Sequence, residues 1–249
     1  MEIEINKNNI NTYIEEEYVN VTKITWKNGE LDELILRKFP NLKILYCDNN
    51  AIITLVPLSV CINLQELYCN GNQIMTLEPL SVCINLQKLY CDENQITSLE
   101  PLSTCINLQE LCCGENKITS LEPLSACINL RTIGFSYNQI TSLEPLSACI
   151  NLQNISINHN KIEILGSLSS CVNLECLICD DNEIKSLEPI STCINLKRIQ
   201  CTNNQITSLK PISACINLEY LSFCNNKITS LEPLSSCLNL FVCIVIAIK

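Results

Sequence analysis

Histidine, glycine and cationic residues are scarce in this sequence, and each shortage removes a class of function. The single histidine, His159, has no second imidazole with which to bind a metal, and no serine nucleophile stands at a recognisable spacing from it. Five glycines do not make a phosphate-cradling loop. No stretch reaches the eighteen or so apolar residues of a membrane span. The start, Met1-Glu-Ile-Glu-Ile-Asn, has neither the basic region nor the apolar run of a signal peptide. An intracellular, soluble protein is therefore expected, with no membrane partner. Lys and Arg total 16 against 26 Asp and Glu, for a net charge of −10, which argues against nucleic acid and anionic lipid surfaces. No catalytic residue, metal ligand or cofactor is predicted, and the chain is not expected to be an enzyme.

What the sequence does have is a period. Leucine recurs every 22 residues at 42, 64, 86, 108, 130, 152, 174, 196, 218 and 240. The spacing divides the chain into an N-terminal cap (1–20), a degenerate first repeat (21–41), nine full repeats (42–239) and a truncated tenth (240–249). In the degenerate repeat Val21, Ile24, Trp26, Gly29, Leu31 and Leu34 are expected to take the slots of Leu42, Leu45, Cys47, Asn50, Ile52 and Leu55. Ile10 to Tyr18 is expected to form a helical turn or two, with Asn11 or Thr12 as its N-cap. A period in the 20–50 range specifies a solenoid. Alternation at Leu64, Leu67 and Cys69 gives a short strand with one buried face. The invariant Asn of each repeat, from Asn50 to Asn226, is expected to satisfy inward-turning backbone groups with its amide. Glu100-Pro101 and its copies read as the start of a short helical turn. Repeat six lacks that pair and carries Gly166-Ser167, which predicts a local change in the wall opposite the strands.

The full repeat, Leu-x-x-Leu-x-Cys-x-x-Asn-x-Ile-x-x-Leu-x-Pro-Leu-Ser-x-Cys-Ile-Asn, resembles that of leucine-rich repeat proteins. Segments such as Asn94-Gln-Ile-Thr-Ser-Leu-Glu-Pro-Leu-Ser103 are similar to the 22-residue subclass of bacterial internalins and of a eukaryotic phosphatase-regulating family. The Ile- and Asn-rich composition also resembles that of repeat proteins of giant amoeba-infecting DNA viruses. The resemblance implies an α/β solenoid, a horseshoe with a concave parallel sheet and convex short turns or 3₁₀ segments. It also implies a protein–protein interaction scaffold, or alternatively an effector adaptor recruiting host ubiquitin or phosphatase machinery.

Nineteen cysteines would ordinarily suggest disulfides, but most fall in two columns, Cys61 to Cys237 and Cys47 to Cys201. The second column holds Phe135, Ile157 and Phe223 in other repeats, so Cys acts there as a small hydrophobe. Reduced, structural thiols are expected. Cys176-Leu-Ile-Cys179 has redox or zinc-type spacing, yet on a strand residues three apart point to opposite faces.

The exposed strand positions vary while the core slots do not. Tyr46, Tyr68 and Tyr90 are expected to stack as an amphipathic patch, a residue type favoured at binding hot spots. Asp48, Asp92, Glu93 and Glu115 flank them, and Tyr137, Asp180, Asp181 and Tyr220 follow farther along. Acidic side chains outnumber basic ones in these columns, so the expected partner is a basic protein.

The tail Phe-Val-Cys-Ile-Val-Ile-Ala-Ile-Lys249 breaks the repeat. Back-translated with allowed codons and read from its third base, it yields Cys-Leu-Tyr-Cys-Asn-Ser-Asn-Gln, the missing repeat in register. The expectation is a frameshift after about Leu240, with a natural capping strand as the alternative. With the frameshift, Phe241 to Ile248 are expected to form an unprotected apolar edge strand that invites self-association.

Overall fold

The computed structural model describes residues 1–6, 8–13, 18–27 and 29–244. They fall into two compact units, Met1–Ile118 and Thr119–Lys249. The first unit carries six parallel strands: β1 (Glu2–Ile5), β2 (Lys23–Trp26), β3 (Ile44–Tyr46), β4 (Glu66–Tyr68), β5 (Lys88–Tyr90) and β6 (Glu110–Cys112). The second carries β7 (Thr132–Gly134), β8 (Asn154–Ser156), β9 (Cys176–Ile178), β10 (Arg198–Gln200), β11 (Tyr220–Ser222) and β12 (Val242–Ile244). Within each unit every strand pairs in parallel with the next, in a register that puts identical repeat positions side by side. Leu45, Leu67 and Leu89 align in one row, and Tyr46, Tyr68 and Tyr90 in another.

The core follows from the period. Leu64, Leu67, Ile74, Leu77, Leu80 and Leu86 are completely buried, and the equivalent residues of neighbouring repeats match them. Burying one such side chain is worth about 1.5–3 kcal/mol, so adjacent repeats hold each other through stacked aliphatic layers. The return path to the next strand is a five-residue 3₁₀ helix, for example Glu100–Thr104. Pro101 fixes φ in its first turn, and the Ser98 hydroxyl accepts the Glu100 N–H at 3.2 Å.

The asparagine column closes the turn after each strand. Asn94 is 8% exposed; its Nδ2 donates to the carbonyls of Cys69, Cys91 and Asp92, and its Oδ1 accepts the Ile74 N–H at 2.9 Å. No disulfide joins the cysteines of either column among the described residues. In the column following the 3₁₀ helix the thiol also donates weakly to the carbonyl one repeat back, as Cys83 does to Cys61 (3.6 Å) and Cys193 to Cys171 (3.4 Å). That bond gives Cys an advantage there over an alkyl side chain of similar size.

The N-terminal segment departs from expectation in two places. Leu34 is 72% exposed, whereas Ile35 and Leu36 are buried. A short α-helix, α1 (Glu33–Leu36), replaces the 3₁₀ turn there and rotates the next two residues into the core slot. Asn11 and Thr12 lie inside a 3₁₀ helix, Ile10–Tyr13, rather than ahead of it; Asn9 precedes it and accepts the Asn6 N–H through Oδ1 at 2.8 Å. Residues 14–17 of the expected helical stretch lie outside the described residues. Trp26 fills its core slot at 2% exposure. At the other end Phe241 is 74% exposed and β12 pairs with β11; residues 245–248 of the predicted edge strand lie outside the described residues.

Candidate functional site on the strand face

Parallel pairing in register stacks Tyr46, Tyr68 and Tyr90. Ring centroids are 4.5 Å apart for the first pair and 5.0 Å for the second, with planes 12° apart in both. Strand spacing is itself about 4.8 Å, so identical side chains at one strand position stack without distortion. The Tyr68 hydroxyl donates to Glu66 Oε2 at 2.9 Å, and the Tyr90 hydroxyl donates to Glu110. Burial first, and then these carboxylates, push both phenols well above their ordinary range, so the hydroxyls remain protonated donors. Lys88 bridges to Glu110 at 3.2 Å, and the Lys23 ammonium lies 4.9 Å from the Tyr46 ring centroid. The half-buried rings are thus held rigid by the scaffold.

Asp48 and Asp92 stand two residues beyond Tyr46 and Tyr90, and each serves the scaffold as well. Asp48 Oδ1 accepts the Asn70 N–H at 2.8 Å, and Asp92 Oδ1 accepts the Gly114 N–H at 2.5 Å. Asn70 does the same for the Asp92 N–H at 2.7 Å. Burial raises the Asp92 pKa despite the Gly114 bond. Glu93 and Glu115 are exposed and hold left-handed backbone, φ 55° and 51°. The whole column shares that conformation, including Asn49, Asn203, Asn225 and Gly71. Asn and Gly recurring there were the sequence signal for it, one the periodic reading passed over.

The remaining predicted residues form a separate group in the second unit. The Tyr137 ring stacks on His159 at 4.1 Å, and His159 Nε2 lies 3.3 Å from Asp181 Oδ2. Asp180 Oδ1 accepts the Thr202 N–H at 2.6 Å; burial raises its pKa. The Arg198 guanidinium sits 4.4 Å from the Tyr220 centroid. Lys23 and Arg198 were not among the predicted contact residues, because cation–ring contacts depend on which neighbour a long side chain leans toward. Cys176 is half-buried and Cys179 buried, on opposite faces as the strand period requires. Among the described residues no three His, Cys, Asp or Glu side chains are grouped to hold a metal ion. No described helix is long and apolar enough to cross a membrane.

Short parallel strands, an asparagine column and 3₁₀ returns repeated every 22 residues define a leucine-rich repeat protein. The chain belongs to that family: the description Leucine Rich repeats (2 copies) matches residues 40–82, 84–126, 128–170 and 172–214. Among solved structures it is similar to an internalin, InlF, from Listeria monocytogenes, with 21% identity and TM-score 0.68 over 98% of this chain and 90% of that one. The functional domain of InlJ from the same organism, which includes a cysteine ladder, aligns at 24% identity and TM-score 0.70 over 86% and 50% of the two chains. The plant peptide hormone receptor RGFR1, solved in complex with RGF2, aligns at 18% identity and TM-score 0.76 over 98% and 46%. No curated protein matches the chain.

Proposed function

We propose that this chain is a non-catalytic scaffold that binds a basic protein partner on its strand face, with Tyr46, Tyr68 and Tyr90 as the anchor. The observation that carries this reading is the tyrosine stack. Three rings are pre-ordered at 4.5 and 5.0 Å, half-exposed, and bordered by exposed Glu93 and Glu115. Rigid aromatic area loses little conformational entropy on binding, and hot spots favour it. The carboxylates attract a basic partner and set the salt dependence of its approach. Tyr137, Asp180, Asp181 and Tyr220 form a second contact region on their own unit. RGFR1, solved with RGF2, is an example of this fold engaging a ligand. Cysteines at this density without a disulfide among the described residues suit a reducing, intracellular compartment.

The test is quantitative capture of partners by the wild-type chain and by the triple variant Tyr46→Ala, Tyr68→Ala, Tyr90→Ala, at low and physiological salt. The expected result is at least a tenfold loss of affinity, from removal of about 1.4 kcal/mol or more. Unchanged capture of every partner by the triple variant rules the tyrosine anchor out.

A further inference from the structure

Repeat six breaks the consensus at three positions on the 3₁₀ side, and the structure shows a cleft there. Where repeat five reads Ser142-Leu-Glu-Pro-Leu-Ser147, repeat six reads Ile164-Leu-Gly-Ser-Leu-Ser169. The 3₁₀ helix forms regardless, at Gly166–Ser170. A cleft of about 610 Å³ runs there over parts of three repeats, with Gly166 and Ser167 in its wall.

Two polar groups are stranded by the change. Ser167 is 6% exposed, and its Oγ has no hydrogen-bond partner, the one such buried side-chain atom among the described residues. Buried hydroxyls in native structures almost always find a partner. Elsewhere a Ser or Thr hydroxyl accepts the first N–H of the 3₁₀ helix, as Ser142 does for Glu144 at 3.1 Å. Ile164 has no hydroxyl, so the Gly166 N–H lacks that bond, and the Ile164 side chain stands 71% exposed at the rim.

The charges lining the cleft select the ligand. Glu163 is taken by Lys185 at 2.6 Å. Glu144, Glu183 and Lys161 line the same cleft, and among the described residues none of their charged groups makes a salt bridge or hydrogen bond, although Glu183 lies within the field of the Lys185 ammonium. We infer that this cleft binds a short peptide segment bearing an arginine or lysine side chain. Glu144 and Glu183 receive the cation, and its alkyl stem packs on Ile164. Ser167, after a χ1 rotation, and Gly166 bond the peptide backbone, while Lys161 donates to a peptide carbonyl. The site lies in the second unit, on its 3₁₀ side, and shares no residue with the tyrosine stack of the first.

The probe is a fluorescein-labelled Gly-Arg-Ala-Arg-Gly amide, titrated with the full chain at physiological salt and read by fluorescence anisotropy. The decisive variant restores the chain's own consensus: Ile164→Ser, Gly166→Glu, Ser167→Pro. A Cβ at Gly166 meets only Ile164 Cγ2, at the ordinary contact distance of 3.4 Å, so the repaired segment has room to fold like its neighbours. The repair adds one negative charge, so attraction to net charge alone predicts equal or tighter binding. A filled cleft predicts at least a tenfold loss. Glu144→Gln with Glu183→Gln, which leaves the backbone untouched, is expected to weaken binding by a similar factor. The tyrosine triple variant is expected to bind the probe as wild type does, which separates this site from the strand face. Absence of binding by the wild-type chain, or full binding by the repaired one, overturns the inference.

Discussion

Replacing Asn94 by alanine tests the column that closes every repeat. The three carbonyls that receive its Nδ2 each keep another donor. Cys69 retains Asn72, Cys91 retains Asn116, and Asp92 retains the Gly71 N–H. The Ile74 N–H does not, because Asn94 Oδ1 is its partner at 2.9 Å and the site is buried. A stranded buried donor costs about 1–3 kcal/mol, and the net worth of the lost bonds adds about 1 kcal/mol, so Asn94→Ala should destabilise by about 2–4 kcal/mol. Asn50 serves as the internal control. It is half-buried, and the Gly29 N–H reaches its Oδ1 only at 3.3 Å, so water can replace it and Asn50→Ala should cost about 1 kcal/mol or less. The assay is urea unfolding followed by far-UV circular dichroism, with native-state hydrogen exchange at the Ile74 amide. In a repeat array each element leans on its nearest neighbours, so loss of protection should centre on the repeats beginning at Leu64 and Leu86. A cost below about 0.5 kcal/mol at Asn94, or undiminished protection of the Ile74 amide, would refute the assignment of the column as the backbone's hydrogen-bond partner.

Three further outcomes are expected. Excess dithiothreitol should leave the far-UV signal intact. Native alkylation among the described cysteines should be confined to half-buried Cys112 and Cys176, and slow even there, since burial and then Asp92 push Cys112 up to about 12; labelling of Cys69 at the rate of Cys112 contradicts this packing. Asp92→Asn should stabilise the chain at pH 7. Burial holds the Asp92 pKa above its unfolded value of 3.8, so its favourable contribution is complete below that value and lost as pH rises through the folded pKa. The amide keeps the Gly114 bond, as Asn70 does in the same slot for Asp92. The stabilisation should therefore shrink as pH falls toward 3.8, and a urea midpoint difference that does not change with pH would contradict the assignment.

The repeat itself was legible because its constraints are local and reiterated. Leu at strand positions, Asn at the turn and Pro in the first 3₁₀ turn each answer a backbone or burial requirement within one 22-residue unit, so the sequence alone determined strand placement, core slots and the stacking of Tyr46, Tyr68 and Tyr90. Register between identical repeats carries that stacking over automatically. Where repetition fails, the tertiary structure decides. Leu34 lost its core slot to Ile35 and Leu36, because packing in the degenerate repeat favoured an α-helical turn over the 3₁₀ form. The bonds that tie Asp48 and Asp92 to backbone N–H groups, and the lean of Lys23 and Arg198 over tyrosine rings, depend on side-chain rotamers chosen between repeats. The Gly166-Ser167 change was visible in the sequence, but whether the wall would close over it was not. Only three-dimensional packing showed that a cleft stays open beside Gly166 and Ser167.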